Sequence, residues 1–426
     1  MAAPLRKNED SSRALRPEGL LFEGQLQRGL EVVVQGDRIS EIRAARGEPD
    51  CSGILPGFVN AHSHAFQRAL RGHVQHAAPG MDDFWTWRER MYGLANELDA
   101  DGIEAVSEQA FREMARAGFT SVGEFHYVHH LPEGSPYADR EELARRVIRA
   151  ARRVGLRICL LRVAYHRAGP GQDRTRQQRR FCDDRPQQVL DAVRRLQNIQ
   201  DPAVSIGLAP HSVRAVPRDW LEVLASFDGV IHAHLSEQPK ENTLCQDEHG
   251  VSPTRLLADC GLLSERFTAV HMTWPCEGDA ELLRQSGASI CACPSTELDL
   301  GDGFLPLDHF ADIPICVGTD SHARIDPFYE LAAIELHARG CQGRRNVLAT
   351  EEPDGLALRL LEMGSRNGAR SLGLDAGEIA IGKLADFVEI DLDHPVLQGS
   401  RVLPAAVLAG HPGLVRRVWV GGELLE

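Results

Sequence analysis

Short apolar, β-branched runs alternate along the chain with longer segments of helical periodicity. Eight such runs stand out between residues 53 and 375: Ile54–Ala61, Phe119–Phe125, Leu156–Val163, Val204–Pro210, Val230–His234, Thr268–His271, Ala288–Cys293 and Ile315–Thr319. Between them, Asp101–Ala117, Arg140–Val154, Pro186–Gln197 and Pro217–Phe227 predict helices; glycine follows the first two directly and proline opens the last two. Repeated strand–helix units predict an α/β fold, a parallel (β/α)8 barrel of the TIM type over 53–375, with its site at the C-terminal ends of the strands.

The two ends read differently. Leu20–Phe22, Leu30–Val34 and Ile39–Ile42 near the start, and Ala385–Leu392, Ala406–Leu408 and Val415–Leu425 near the end, all carry strand chemistry, with turns at Gly36-Asp37 and Gly421-Gly422. Residues 17–52 and 376–426 together predict a small β-sandwich built from both termini; two unrelated end decorations are the alternative. Residues 1–16 read as a polar tail.

Composition narrows the function classes. A chain of 426 residues, 43% apolar and 25% charged, fits one large domain plus a smaller one. Its net charge of −14 opposes the basic field that phosphate binding needs, so no nucleic-acid partner is expected. Of 47 basic residues only Lys7, Lys240 and Lys383 are lysines. The arginine-rich stretches Arg140–Arg157 and Arg174–Arg180 read as exposed helix faces and a charged loop. Ten cysteines are scattered without a short-range framework, and Cys291-Ala292-Cys293 reads as buried thiols within a strand. Residues 1–16 lack the apolar segment of a secretory signal, and no stretch approaches the roughly 18 apolar residues of a membrane span. A cytoplasmic protein without a membrane partner is expected.

The polar residues at the run ends carry the candidate chemistry. His62 and His64 close the first run two apart, so both imidazoles face one way. His234 ends the fifth run, His271 the sixth and Asp320 the eighth. Singly, each is more often a satisfied polar residue; together at one barrel mouth they point to a metal. Neutral imidazoles with one carboxylate suit zinc and leave a position for water. Glu237, three residues past His234, lies where its carboxylate can reach that water or the leaving group, which must be protonated.

These motifs resemble the amidohydrolase superfamily: GFVNAHSH, HxHLSE, a histidine on strand six and an aspartate after strand eight. The resemblance implies metal ligation by His62, His64, His234 and Asp320. Many members hold two metals bridged by a carbamylated lysine after strand four. Here that run ends at Pro210-His211 with no lysine nearby, so a single divalent ion, zinc, is expected. It further implies catalytic roles for Glu237 as proton shuttle, Asp320 as metal ligand and proton acceptor, and His271 as the group that polarises the reacting centre. His232 shares a strand face with His234 and is read as a packing residue.

A more specific likeness runs through HSHAFQRALRG (62–72), FWTWRERMY (84–92), EFHYVHH (124–130), QRRF (178–181), IGLAPHSVRAV (206–216), HAHLSEQPKE (232–241), CPSTELDLGDG (293–303) and GTDSH (318–322). Nearly the whole chain resembles the formiminoglutamate deiminase family, whose reaction in histidine degradation releases ammonia and formylglutamate. That resemblance implies that Arg88, Tyr127, His211 and Arg214 hold the glutamate portion of the substrate and that Gln67 lies near the formimino end. Carboxylates do call for bidentate arginine. It also implies a homodimer. Where the family carries HATH, this chain has His271-Met272-Thr273-Trp274, which alters the pocket wall. Two other readings stay open: a deaminase of an aromatic amine such as a purine or triazine, and a relative without catalysis.

Overall fold

The computed structural model describes residues 12–75, 83–310 and 312–425. Eight strands run in sequence order, each parallel to the next: β1 Phe58–Ser63, β2 Phe119–His126, β3 Arg157–Ala164, β4 Val204–Pro210, β5 Ile231–Leu235, β6 Phe267–His271, β7 Ser289–Ala292 and β8 Ile315–Val317. The ring closes where β8 runs out: His64 N–H donates to Asp320 O, and the N–H groups of Thr319 and Asp320 both donate to His62 O, at 3.0–3.1 Å. A β-carbon on Gly318 would lie 2.7 Å from His62 O, so closure at this contact requires glycine. The strands are buried on both faces, which explains their continuous apolar character.

The helix Ala100–Ala117 buries Ile103, Ala110, Phe111 and Met114 at helical spacing and stops at Gly118, whose φ of 103° most side chains could not adopt. The other three predicted helices form over Glu142–Val154, Pro186–Leu196 and Arg218–Leu224.

Both termini build the smaller β-structure. Arg13–Leu15, Leu30–Gln35 and Arg38–Ala44 make one antiparallel sheet. The second has the order Glu423–Leu424, Val415–Val420, Phe387–Ile390, Cys51–Pro56, Pro17–Phe22, Gln25–Gln27. Leu20, Val32, Val34, Ile54, Phe387 and Trp419 fill the layer between them.

Four expectations need correction. Ile54–Ala61 is not one strand: Cys51–Pro56 pairs within the terminal sheet, and the chain crosses at Pro56-Gly57 into β1. The apolar run was continuous because both segments are buried, which hides the break. Ala406–Leu408 is helical, within Val402–Ala409; Leu403, Ala406 and Val407 are buried at three-to-four-residue spacing against the barrel core, away from the sandwich. The expected tail is shorter, since Arg13–Leu15 pairs with Val32–Val34; residues 1–11 lie outside the described residues. Two arginines read as exposed are buried. Arg180 donates to the carbonyls of His130 (2.9 Å), Leu98 (2.7 Å) and Ala95, tying down the end of the helix Phe84–Glu97.

The other, Arg157 at the base of β3, donates to both oxygens of Asp386 at 2.8 and 3.2 Å and so clamps the terminal sheets to the barrel. Replacing Asp386 by alanine would strand a buried guanidinium, with only Asp37 left at 3.7 Å. Chemical denaturation is expected to report a loss of about 3 kcal/mol.

Candidate active site

Barrel closure assembles the centre. Because His62 O accepts from the residues ending β8, Asp320 is brought against the His62-Ser63-His64 turn. Asn60 and Thr319 lock the same junction, Asn60 Nδ2 donating to Thr319 Oγ1 at 2.7 Å and Thr319 N–H to Asn60 Oδ1 at 3.0 Å. Ser63 Oγ donates to Glu124 Oε2 at 2.5 Å, which fixes the turn from the β2 side. Five of the eight left-handed non-glycine conformations among the described residues lie at this mouth: Ser236 (φ 50°), His271 (78°), Met272 (55°), Asp320 (44°) and His322 (59°). Each costs about 1–3 kcal/mol and re-aims a side chain at a strand end.

The Nε2 atoms of His62, His64 and His234 form a nearly equilateral triangle with sides of 3.2, 3.3 and 3.2 Å. A tetrahedron around an ion with metal–nitrogen bonds of about 2.0–2.1 Å has edges of about 3.3 Å. Asp320 Oδ1 supplies the fourth corner, 3.4 Å from His62 Nε2 and 3.2 Å from His64 Nε2. These four donor atoms lie within 4.8 Å of one another and could hold a metal ion. Their protonation suits one. Burial pushes His62 down to about 3 and His234 well below its usual range, leaving neutral imidazoles. Burial alone would raise Asp320, but the facing histidines outweigh it and keep the carboxylate ionised. His64 Nδ1 donates to Phe125 O at 2.9 Å, so its Nε2 lone pair faces the cluster.

His271 stands beside this group. Its Nε2 is buried without a hydrogen bond, 3.6 Å from Glu237 Oε1 and 3.9 Å from Asp320 Oδ2, while Nδ1 lies 3.2 Å from Glu297 Oε1. Burial disfavours its cation, but the carboxylates of Glu237, Glu297 and Asp320 prevail and raise it to about 10. Burial likewise raises Glu237, against the opposing pull of His271. His271, Cys293 and Asp320 also bring three donor atoms within 4.8 Å, though Cys293 belongs to an apolar cluster with Ala61, Val270, Cys291 and Cys316 in the barrel interior.

Above the histidines, a cavity of about 40 Å³ is lined by His64, His234, Glu237 and Asp320 on one side and by Gln67, Arg88, Tyr127, His211 and Arg214 on the other. Nine of the eleven sequence-predicted site residues therefore line one space; His62 and His271 do not line it and contact it through the histidine–carboxylate cluster. Gln67 Nε2 donates to the Tyr127 hydroxyl at 2.6 Å, and Gln67 Oε1 is buried without a donor. Among the described residues, buried Arg88 Nε and Nη1 and Arg214 Nη1 have no acceptor. Burial and nearby Arg214 hold His211 well below its usual range and hence neutral. His232 is elsewhere: its Nε2 lies 2.9 Å from Ser371 O.

A family model described as the amidohydrolase family matches residues 54–425. The chain belongs to this family. Formimidoylglutamate deiminase of Pseudomonas aeruginosa is 36% identical to it, over 97% of this chain and 93% of its own length. A 5-methylthioadenosine/S-adenosylhomocysteine deaminase of Pyrococcus abyssi is 26% identical, over 93% and 89% respectively. Among solved structures, an amidohydrolase of Brucella melitensis superposes with a TM-score of 0.88 at 31% identity, covering 96% of this chain and 94% of that one. An adenosine deaminase of Xanthomonas campestris with bound zinc shares the fold, with a TM-score of 0.80 at 22% identity, covering 96% and 92%.

Within this amidohydrolase centre, sequence reasoning missed three acids. Glu297 opens the helix after β7, where its Oε1 accepts from Cys293 N–H at 2.8 Å and faces His271. Its position just past a strand end was the available signal. Asp302 accepts from Gln238 Nε2, and its carbonyl accepts from Trp274 Nε1 at 2.6 Å. Burial, with Glu237 nearby, raises its carboxyl to about 9, so it is a neutral acid. Trp274 is thereby anchored to the segment after β7 but stays exposed, outside the lining of the cavity. Glu124 braces the ligand turn from β2, raised by burial to about 7. Among the described residues, no helix is long and apolar enough to cross a membrane.

Proposed function

We propose that this amidohydrolase hydrolyses N-formimino-L-glutamate to N-formyl-L-glutamate and ammonia, a step of histidine degradation, using one zinc ion held by His62, His64, His234 and Asp320. The observation that carries this reading is the pairing, in one cavity, of the histidine–carboxylate cluster with two guanidiniums whose buried donors have no acceptor. A substrate with two carboxylates supplies those acceptors. We further infer that the chain works in the cytoplasm and as a homodimer, the second of which the family resemblance implies.

A zinc ion in this donor set supplies Lewis acidity, making water acidic enough to be a nucleophile near pH 7. The protein's residues do the rest. Arg88 and Arg214, with Tyr127 and His211, fix the glutamate carboxylates, and the free Gln67 Oε1 accepts from a formimino N–H. Water adds to the formimino carbon, the bond to the terminal nitrogen breaks, and ammonia leaves. Asp320 takes a proton from the attacking water. Glu237, whose carboxyl burial raises, carries protons between the water and the leaving nitrogen: that nitrogen gains the two protons the water loses, so NH3 leaves and both carboxylates return to their starting state. His271, held as a cation, presents Nε2–H to the reacting centre.

The test is ammonia release from formiminoglutamate alongside a purine nucleoside such as 5-methylthioadenosine, with metal analysis of the same sample. The expected result is turnover of the first alone, at one zinc per chain. Turnover of the nucleoside alone would replace this reading with the aromatic-amine one, which has no use for two free guanidiniums.

A further inference from the structure

Lys240 is one of only three lysines, and it lies at the N-terminal end of the helix Pro239–His249, on the rim of the mouth. Its Nζ sits 4.5 Å from the ring centre of Trp85. The same ring holds Arg88, with Cζ at 4.6 Å, and Arg214, with Cζ at 5.9 Å. Three cations thus surround one neutral indole. The ring's quadrupole offsets part of their repulsion. Burial raises the acids Glu237 and Glu241, the latter to about 7, although both still favour the Arg214 cation.

The arrangement is graded by depth. Arg214 is buried and Arg88 half-buried, both with unmet donors inside the cavity, whereas Lys240 is exposed. An acidic protein of net charge −14 repels a dianion approaching from a distance. Only a local concentration of positive charge at the mouth can reverse that field, and its outermost member is Lys240.

We propose that Lys240, seated on Trp85, is a specificity-determining residue of this site: the entry cation that draws in a dicarboxylate and favours it over a monocarboxylate. The inference rests on the reading above that the cavity takes a dicarboxylate. Arg88 and Arg214 receive the two carboxylates; Lys240 raises the local concentration of dianion and balances its outer charge.

The experiment compares the zinc-loaded wild type with Lys240→Met and Lys240→Arg. One arm follows kcat/KM for formiminoglutamate from low to high salt. The other titrates glutarate and butyrate by calorimetry, which requires no turnover. Lys240→Met is expected to lower kcat/KM about five- to tenfold at low salt, mostly through KM, and to flatten its salt dependence. It is also expected to weaken glutarate more than butyrate, and Lys240→Arg restores both properties. A merely structural lysine would leave the salt dependence and the glutarate-to-butyrate ratio unmoved, and that result overturns the proposal. Failure of the wild type to bind glutarate overturns it as well. Lys240-dependent glutarate binding without ammonia release would leave this inference standing while the proposed reaction falls. Ammonia release that is indifferent to Lys240 would do the reverse.

Discussion

Glu237→Gln is expected to keep its full complement of metal and lose turnover by about a thousandfold, within the usual range for a removed proton-transfer group. Glu237 stands outside the four-atom ligand group, so its amide should not disturb the ion. The substitution preserves shape and burial. Its backbone is set by Ser236, whose positive φ turns the chain beyond β5, and by Thr273 Oγ1, which donates to Glu237 O at 2.9 Å; neither depends on the carboxylate. What disappears is the carboxyl group that passes a proton to the departing nitrogen, a group whose hold on that proton burial strengthens. Metal stoichiometry by elemental analysis and steady-state ammonia release, measured on one preparation, check the two halves separately. Loss of metal would make Glu237 part of the ion's support, and retained activity would remove it from the chemistry.

Much of this site was legible in the sequence because a parallel barrel fixes where strand ends go. His62, His64, His234, His271 and Asp320 each end a run, and closure of β8 on β1 brings them together. Glu297 and Asp302 were harder to see. Their roles depend on how the segment after β7 curls back toward His271 and Gln238, a tertiary fact without a periodic signature. The misread elements share a cause. Apolar runs report burial and not which core does the burying, so Ile54–Ala61 looked like one strand although it spans parts of two, Cys51–Pro56 and Phe58–Ser63, in two sheets. Charge likewise reports composition and not partners: Arg157 lies in a run of surface arginines, yet Asp386, more than two hundred residues away, makes its burial possible. Trp85 and Lys240 lie far apart in the chain and meet only across the mouth.

Arg214→Ala offers the sharpest separation of binding from folding. In most proteins, truncating a buried arginine strands its partner and destabilises the fold. Arg214 has no ion-pair partner among the described contacts; its neighbours include Arg88 and Lys240, which share Trp85 with it, and its Nη1 is unsatisfied. Its removal deletes a buried unmet donor together with its attraction to Glu237 and Glu241, so the melting temperature of the unliganded protein is expected to change little. Binding should respond in the opposite sense. A carboxylate in the cavity loses a charge-assisted, two-pronged partner, which costs about 2–5 kcal/mol and lowers kcat/KM at least about thirtyfold. Stabilisation by ligand gives an independent readout: glutarate should raise the wild-type melting temperature in proportion to the logarithm of its saturation and leave the variant unmoved. If the variant instead unfolds readily while its remaining folded fraction turns over normally, Arg214 is a structural residue. The dicarboxylate specificity would then have to rest on Arg88 and Lys240.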